Sequence, residues 1–257
     1  MKIKFYKYHG TGNDFILIDN RSLFFDKSNV NFISKICNRN TGVGADGLIL
    51  LENHQKLDFK MIYFNSDGKE TSMCGNGGRC IVSFANKLSI IKDKAKFMAI
   101  DGTHEGFVDH GIVSLQMNNV KLIEQIQNGY VLDTGSPHYV EFHDSINELD
   151  VIIEGRRIRN EKKISSNGIN VNFVQVINNS CIKVRTYERG VENETLSCGT
   201  GVVAAVLSAS KRGSVEGNKI KIITLGGDLY VSFNFNNSIF ENIWLEGPAV
   251  EVFKGKI

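Results

Sequence analysis

The chain of 257 residues is long enough to bury a full core, as one large domain or as two of ordinary size. Its 42% hydrophobic and 23% charged residues are typical of a soluble globular protein. The 30 basic and 28 acidic residues leave a net charge of +2, which argues against nucleic-acid or membrane binding and favours a small-molecule partner.

The N-terminal segment and the cysteines indicate the cellular compartment. Residues 1–12, MKIKFYKYHGTG, contain no apolar run of signal-peptide length, and about 18 consecutive apolar residues occur nowhere in the chain. Five cysteines are an odd set in a chain of this size, which argues against a disulfide framework and suits a reducing compartment. We therefore expect a cytoplasmic protein.

Short, often alternating segments rich in β-branched and aromatic residues predict strands along most of the chain. In chain order these are residues 3–19, 46–52, 58–64, 112–117, 172–177, 182–188 and 229–235. Helices are predicted at residues 29–40, 79–89 and 202–212. The last two helices each follow a Cys-Gly-x-Gly turn.

The frame Glu-Thr-x-x-Cys-Gly-x-Gly occurs twice, at residues 70–77 and at residues 194–201. Its cysteines, Cys74 and Cys198, lie 198 − 74 = 124 positions apart, which is close to half the chain. A single cysteine before a helix is usually a small buried hydrophobe. The repeated frame favours a functional pair instead.

Two further matches support a doubled chain. Tyr63 and Tyr187 share the offset of 187 − 63 = 124, and TGNDFIL at residues 11–17 is echoed by TGSPHYV at residues 134–140. Matched blocks in the same order predict duplication of one unit. The predicted halves are residues 1–119 with 247–257, and residues 120–246.

The position of the two cysteines has a chemical use. A helix N-terminus carries unpaired N–H groups and partial positive charge, and it can lower the pKa of a cysteine thiol from about 8.5 towards neutrality. The glycines next to each cysteine let backbone amides approach a carboxylate closely. Two such thiols on opposite sides of one chiral carbon could invert it, one as thiolate base and the other as thiol acid.

Other chemistries fit the sequence less well. Cys37 and Cys181 lie in apolar periodic segments and Cys80 follows Cys74 by six positions, so we expect all three to be packing residues. The six histidines show no zinc-binding spacing, and neither glycine-rich turn has the Gly-Lys-Ser/Thr ending of a P-loop. The chemistry therefore requires neither a metal nor a cofactor.

Five motifs in consistent order resemble those of the diaminopimelate epimerases. They are GTGNDF at residues 10–15, FNSDGKETSMCGNGGRC at 64–80, GSPH at 135–138, NVNF at 170–173 and YERGVENETLSCGTG at 187–201. The resemblance implies an α+β fold of two pseudo-symmetric halves, each a curved, mainly antiparallel sheet wrapped around a central helix, with the active site in the cleft between them. It also implies interconversion of LL- and meso-diaminopimelate without pyridoxal phosphate, and a homodimer.

The resemblance assigns roles residue by residue. It makes Cys74 and Cys198 the acid–base pair, with His138 and Glu188 assisting at the reacting end of the substrate. The matched substrate-binding residues are Asn13, Asn65, Gly75, Asn76, Asn170, Glu188, Arg189, Gly199 and Thr200. Arg189 suits a carboxylate, and the amides can bind both carboxylate and ammonium.

The sequence departs from the family pattern at three places. Gly47 replaces a frequent glutamine or other polar residue, Ser136 replaces a frequent asparagine, and the segment from Glu188 to Cys198 is one residue longer than the common form. Each departure affects expected contacts to the substrate and leaves the class of reaction unchanged.

Two alternatives remain open at the level of sequence. One is a same-fold racemase or epimerase of another amino acid, of the proline or hydroxyproline type; those tend to carry histidine where this chain has Asn76. Isomerases of the phenazine-biosynthesis type share the fold but generally lack the cysteine pair. The other alternative is a thiol redox sensor or an amino-acid binder without catalytic activity.

Overall fold

The computed structural model of the chain describes residues 2–71 and 73–257, and these form four α-helices and eighteen β-strands. They divide into two compact units, an N-terminal unit of Met1–Leu115 with Gly247–Ile257 and a C-terminal unit of Gln116–Glu246. The helices are α1 (Val30–Cys37), α2 (Gly75–Lys87), α3 (Val151–Arg159) and α4 (Gly199–Arg212).

The strands follow in chain order. The first nine are β1 (Lys4–Gly10), β2 (Asn13–Asp19), β3 (Gly47–Glu52), β4 (Phe59–Asn65), β5 (Glu70–Thr71), β6 (Lys94–Ala99), β7 (Gly102–Asp109), β8 (Ile112–Met117) and β9 (Glu124–Ile126). The others are β10 (Gly129–Asp133), β11 (Pro137–Phe142), β12 (Asn170–Asn178), β13 (Cys181–Glu188), β14 (Asn193–Thr195), β15 (Lys219–Thr224), β16 (Gly227–Asn236), β17 (Ile239–Pro248) and β18 (Val250–Lys256).

Both units pair their strands in the same pattern. The N-terminal order is β18, β1, β2, β3, β4, β6, β7 and β8, with β5 added to β4; only β2–β3 and β4–β6 are parallel among these pairs. The C-terminal order is β9, β10, β11, β12, β13, β15, β16 and β17, with β14 added to β13; here β11–β12 and β13–β15 are parallel. The two series are identical, which confirms the predicted α+β class with two pseudo-symmetric halves.

Helices cover both faces of the N-terminal sheet. On one face, Ile33 of α1 joins Leu48 and Leu50 of β3 in the core. Ile49 points the other way, towards α2, where a Cβ on Gly77 would lie 3.1 Å from its Cδ1 atom. Successive side chains of a strand alternate between faces, so every residue of β3 is buried.

The C-terminal sheet has the same construction. Ile158 of α3 packs with Val171 and Phe173 of β12, and between those two residues Asn172 faces α4 at Gly201. α4 is buried along most of its length and contacts six strands, β10 to β13 with β15 and β16. Each unit is thus a sheet around one buried helix, and that helix begins directly after Cys74 or Cys198.

The observed helices differ from the sequence prediction in extent and number. α2 and α4 begin earlier than predicted because the glycine-rich turns form their first turns. α3 was not predicted, because VIIEGRRIR opens with β-branched residues that favour strands. The side chain of Asp150 caps this helix and accepts from the N–H groups of Ile152 and Ile153 at 3.1 and 2.9 Å.

The strand register corrects two details of the sequence reading. Residues 3–19 form a hairpin rather than one strand, with left-handed backbone at Thr11 (φ 49°) and Gly12 (φ 86°). Tyr63 pairs with Thr71, whereas Thr186 pairs with Thr195. Tyr63 therefore corresponds in structure to Thr186, not to Tyr187, because the C-terminal hairpin is one residue longer.

Among the residues described, no helix combines the length and the apolar character needed to cross a membrane.

Candidate active site

Cys74 is the N-cap residue of α2. Its backbone is extended (φ −102°, ψ 147°), and its Sγ atom accepts from the Gly77 N–H at 3.2 Å. A Cβ on Gly77 would lie 3.2 Å from this sulfur, so glycine at that position lets the sulfur approach the helix end closely. A backbone N–H donor and the helix dipole both stabilise a thiolate here.

A polar network on β2 and α2 surrounds Cys74. Asp46 accepts from Asn13 Nδ2 at 2.6 Å, and because a carboxylate only accepts, the amide oxygen of Asn13 must face the other way. That Oδ1 atom accepts from Asn76 Nδ2 at 3.2 Å and from the Cys74 thiol at 3.9 Å. Asp46 thereby fixes which end of Asn13 points towards the sulfur.

Asp46 belongs to a larger ionic cluster at the end of β2. Arg39 donates to both Asp14 and Asp46 at 2.6 Å, and Lys7 pairs with Asp14 at 2.6 Å and donates to the Gly44 carbonyl. Burial alone would raise the pKa of Asp14, but hydrogen bonds from Arg39 and Lys7 hold it at about 2. Asp14 is therefore ionised at neutral pH, and its ion pairs with Arg39 and Lys7 anchor the network.

Arg79 lies fully buried in the second turn of α2. It donates to the Gly75 carbonyl at 3.3 Å, to Thr11 Oγ1 at 3.3 Å and to Asn76 Oδ1 at 2.9 Å. Burial lowers its pKa to about 10, which still leaves the guanidinium charged at neutral pH. Within the described part of the chain it forms no salt bridge, so a positive charge lies close to the Cys74 end of the helix.

Cys198 occupies the matching position before α4. Its backbone is also extended (φ −122°, ψ 114°), and its carbonyl accepts from the Val202 N–H at 2.9 Å, as the Cys74 carbonyl accepts from Gly78. Its Sγ atom lies 3.5 Å from Thr200 Oγ1. The duplication therefore extends from the sequence frame to the geometry at each helix end.

His138 connects to this helix end through a hydroxyl. Its Nε2 atom lies 2.9 Å from Thr200 Oγ1 and 3.0 Å from Ser136 Oγ, and its Nδ1 atom lies 3.1 Å from Asn172 Nδ2. Full burial, together with the charge of Arg189, lowers the pKa of His138 from 6.5 to about 3. The imidazole is therefore neutral across the physiological range.

Asn170 and Arg189 meet at the ends of β12 and β13. Asn170 Oδ1 accepts from the Arg189 backbone N–H at 2.9 Å, and its Nδ2 donates to the Pro137 carbonyl at 3.1 Å and to Ser136 Oγ at 3.2 Å. The Arg189 guanidinium donates to the Gly168 carbonyl at 3.1 Å. Glu188, the last residue of β13, is half-buried beside it.

The remaining predicted positions are simpler. Asn65 ends β4 with an exposed side chain. Cys37, Cys80 and Cys181 are buried with free thiols, and burial raises the pKa of each. Gly47 is fixed by its neighbours, because an added Cβ would lie 2.5 Å from both the Phe64 carbonyl oxygen and the Tyr63 ring.

The structure thus gathers the predicted residues other than Asn65 into one cluster in each unit. The N-terminal cluster contains Asn13, Cys74, Gly75 and Asn76, and the C-terminal cluster contains Ser136, His138, Asn170, Glu188, Arg189, Cys198, Gly199 and Thr200. Within the described residues, no group of three or more His, Cys, Asp or Glu side chains is arranged to hold a metal ion.

Three polar residues of these clusters were missed by sequence reasoning: Asp46, Arg79 and Asn172. Arg79 carried a weak signal, since it directly precedes the apolar run of Cys80, Ile81 and Val82. Asp46 and Asn172 carried none, because the site residues that they contact, Asn13 and His138, are more than 30 positions away in sequence.

Each cluster combines a thiol at a helix N-terminus with nearby amide and hydroxyl donors. Such a group can accept or give a proton while the helix end binds an anion. The fold is shared with a Bacillus anthracis phenazine biosynthesis protein of the PhzF family, at a TM-score of 0.76 and 12% identity over 100% of this chain and 99% of that chain. It is shared also with a hydroxyproline epimerase from Agrobacterium vitis, at 0.69 and 12% over 100% and 92%. These similarities define the fold class.

Sequence comparison defines the family within that class. The diaminopimelate epimerase family model matches residues 5–106 and 130–251. A diaminopimelate epimerase from Flavobacterium psychrophilum is 53% identical over 99% of this chain and 100% of the relative. The chain belongs to the diaminopimelate epimerase family.

Proposed function

We propose that this chain interconverts LL- and meso-2,6-diaminopimelate, in the biosynthesis of lysine and peptidoglycan precursors, through two thiols and without a cofactor. The observation that carries the proposal is the pair of matched cysteines, each at the N-terminus of the buried helix of its unit. Family membership supplies the substrate. A matched pair is what inversion requires, because one group must remove a proton from one face and the other must deliver a proton to the opposite face.

The thiols act in alternation. In one direction Cys74 as thiolate takes the α-proton while Cys198 as thiol protonates the opposite face, and in the reverse direction the roles exchange. We propose that residues 1–119 with 247–257 and residues 120–246 supply one thiol each, at a shared cleft. The N–H groups of Gly75 and Gly199 and the side chains of Asn76 and Thr200 then bind the α-carboxylate, where negative charge accumulates as the proton leaves.

The other predicted residues divide between the two ends of the substrate. His138 and Glu188 assist at the reacting end. Asn13, Asn65 and Arg189 bind the distal amino-acid group, with Arg189 suited to its carboxylate. For Asn170 the observed hydrogen bonds support an indirect role, because its amide holds the Arg189 backbone and Ser136.

The first test is α-proton exchange in D2O, followed by proton NMR with LL-diaminopimelate and fully reduced protein. The native chain should exchange the α-proton and form the meso isomer. Cys74→Ala and Cys198→Ala should each lose at least about 100-fold in inversion, the usual contribution of a positioned acid or base. Cys181→Ala is the matched control, since Cys181 is buried on β13 outside both clusters, and it should stay active.

Three outcomes would contradict the proposal. Full inversion by Cys74→Ala would remove the two-thiol mechanism. Turnover of proline or hydroxyproline without turnover of diaminopimelate would identify a same-fold racemase instead. Folded, reduced protein that binds an amino acid without deuterium uptake would be a binding protein or a redox sensor.

The family resemblance also favours a cytoplasmic homodimer. Sedimentation equilibrium measures this stoichiometry directly, and a monomer at micromolar concentration would contradict it.

A further inference from the structure

Asn172, on β12, is fully buried, and its partners fix the orientation of its amide. Nδ2 lies 3.1 Å from the Tyr139 carbonyl oxygen, which can only accept, so this atom is the NH2 group. Oδ1 accepts from Thr186 Oγ1 at 3.0 Å. A flipped amide would set two acceptors against each other at Tyr139, so one orientation is strongly favoured.

This orientation determines where His138 carries its proton. The second N–H of Asn172 Nδ2 points at His138 Nδ1, 3.1 Å away, so Nδ1 must accept. A neutral imidazole that accepts at Nδ1 carries its hydrogen on Nε2. Nε2 therefore donates to the hydroxyl oxygens of Thr200 and Ser136, at 2.9 and 3.0 Å.

The effect continues from His138 to the sulfur. Since the Thr200 hydroxyl oxygen accepts from His138, its own hydrogen can be donated to Cys198 Sγ at 3.5 Å or to Ser136 Oγ at 3.3 Å. Ser136 Oγ already accepts from Asn170 Nδ2 at 3.2 Å and shares the His138 hydrogen, which favours Cys198 as the acceptor. A hydrogen bond donated to sulfur stabilises the thiolate form over the thiol. With the opposite tautomer, Nε2 would compete for this hydrogen.

We propose that Asn172 is a positioning residue that holds His138 in the Nε2–H tautomer, so that Thr200 donates its hydroxyl hydrogen to Cys198 or to an anion bound there. The inference rests on the proposed role of Cys198 as an acid–base group. The Asn172, His138, Thr200 and Cys198 series is called the donor chain below.

The N-terminal unit lacks this donor chain. The parallel registers match Phe15 with Gly47 in one unit and His138 with Asn170 in the other, so Phe15 corresponds to His138 and Ile49 to Asn172. A Cβ on Gly77 would meet Ile49 Cδ1 at 3.1 Å, and a Cβ on Gly201 would meet Asn172 Oδ1 at 2.4 Å. The same place is apolar in one unit and polar in the other, so the polar residues are not needed to build the fold.

Charged groups on the strands around α4 are few near the donor chain. Arg189, after β13, is the charged group that acts on His138. Asp133 ends β10 and accepts from the Gly135 N–H, and Lys221 and Asp228 pair with each other across β15 and β16. Glu188 ends β13 beside Arg189.

The tautomer can be observed directly with protein labelled with 15N at histidine. Long-range proton–nitrogen spectra separate a protonated ring nitrogen from one that bears a lone pair, and the signals of His138 are those absent from His138→Gln. We expect Nε2 protonated and Nδ1 unprotonated throughout the pH range in which an exposed histidine titrates. A protonated Nδ1 in the native chain would overturn the proposal without any further variant.

Two substitutions, one of Asn172 and one of its hydrogen-bond partner Thr186, distinguish a positioning role of the Asn172 amide from a packing role. Asn172→Leu removes the donor to His138, and an Nδ1–H signal should appear. Thr186→Val removes the bond at the other end of the amide and is the matched control, in which the Nε2–H tautomer should persist. An unchanged tautomer in folded Asn172→Leu would overturn the proposal.

The consequence at sulfur is measured by alkylation with iodoacetamide, followed for each cysteine by mass spectrometry. In Asn172→Leu the rate at Cys198 near neutral pH should fall roughly three- to tenfold, the effect of losing one ordinary hydrogen bond at the thiolate. Cys74 is the internal reference and should not change. Equal rates at Cys198 in the native chain and Asn172→Leu would overturn the last step of the donor chain. The tautomer spectra and the alkylation rates need no substrate. Their outcome is therefore independent of the outcome of the D2O exchange test.

Discussion

Arg79 is the residue that most clearly distinguishes one cysteine from the other. It follows Cys74 by five positions, and the position five after Cys198 holds the buried Val203. Its observed partners are neutral oxygens of Gly75, Thr11 and Asn76. Arg79 has no salt bridge among the described residues, and a buried charge without an ionic partner is costly for folding. We infer that its charge acts on the Cys74 thiol at the start of the helix.

We predict that Arg79→Met lowers the thiolate population of Cys74 and leaves Cys198 unaffected. Methionine fills a similar volume without the charge, so the thiolate loses an attractive electrostatic interaction. The alkylation rate of Cys74 by iodoacetamide near neutral pH should fall about tenfold, which corresponds to about 1.4 kcal/mol.

Arg79→Lys is the conservative control for this prediction. It keeps the positive charge, so Cys74 should react at nearly the native rate even though the fork of hydrogen bonds is lost. A similar loss of reactivity in the lysine and methionine variants would assign Arg79 a purely structural role. The apolar run that follows Arg79 gave a partial indication of its burial, whereas its contacts with Thr11 and Asn76 depend on how β1, β2 and α2 meet.

At the scale of elements, the paired frames predicted a helix after each cysteine, because glycine patterns are local, although both helices begin three or four residues earlier than predicted. The strand register was harder to predict from the sequence. The tyrosines at 63 and 187 gave a false match, since one extra residue in the β13–β14 hairpin shifts the sequence offset. α3 was missed for a related reason: its stability comes from the Asp150 cap and from packing on β12 and β13 rather than from helix propensity.

Gly47, at the start of β3, shows how closely β3 and β4 pack. Its Cβ position is filled by the Phe64 carbonyl oxygen and the Tyr63 ring, and a backbone oxygen cannot move without breaking the β3–β4 pairing. The glutamine that the family resemblance led us to expect here has no space in this chain. We therefore expect no side-chain contact to the substrate from position 47 in this chain.

We predict that Gly47→Gln destabilises the chain by about 1–3 kcal/mol, the usual cost of overpacking a core. Gly47→Ala is the matched variant, because it adds the Cβ alone. Denaturant unfolding should give a similar loss for both variants if the clash lies at Cβ. Native stability in the alanine variant would show that the β3–β4 pair adapts, and would contradict the prediction.

At the scale of the whole molecule, the two units pair their strands in the same order. Residues that differ at corresponding positions therefore show where the two units have different roles. The N-terminal unit has Phe15, Ile49 and the charged Arg79, and the C-terminal unit has His138, Asn172 and Val203 at the corresponding places. The repeat was visible in the sequence through two short frames. These exchanges were not, because they become equivalent only after the parallel strand registers are known.

One of these exchanges, His138 at the position that Phe15 holds in the other unit, should affect how the stability of the molecule depends on pH. Its pKa is about 3 in the folded chain and 6.5 in its ordinary state, so between these values the unfolded chain binds a proton that the folded chain does not. Stability should therefore fall as the pH drops from about 6.5, by up to about 1.4 kcal/mol per pH unit. Asp14, whose pKa is held at about 2 against an ordinary 3.8, begins to lose its stabilising effect only below about pH 5.

Between about pH 6.5 and pH 5 the lowered pKa of His138 is the main source of pH-dependent stability, and we predict that His138→Gln flattens the stability profile in this window. Calorimetric melting temperatures of the native chain should drop by a few degrees per pH unit there, as a change of about 1 kcal/mol produces in a protein of this size. His110→Gln is the matched control, because the His110 side chain is 94% exposed, and it should keep the native slope. Equal slopes in the native chain and in His138→Gln would mean that His138 is protonated inside the fold, and the tautomer inferred from Asn172 would then fail with it.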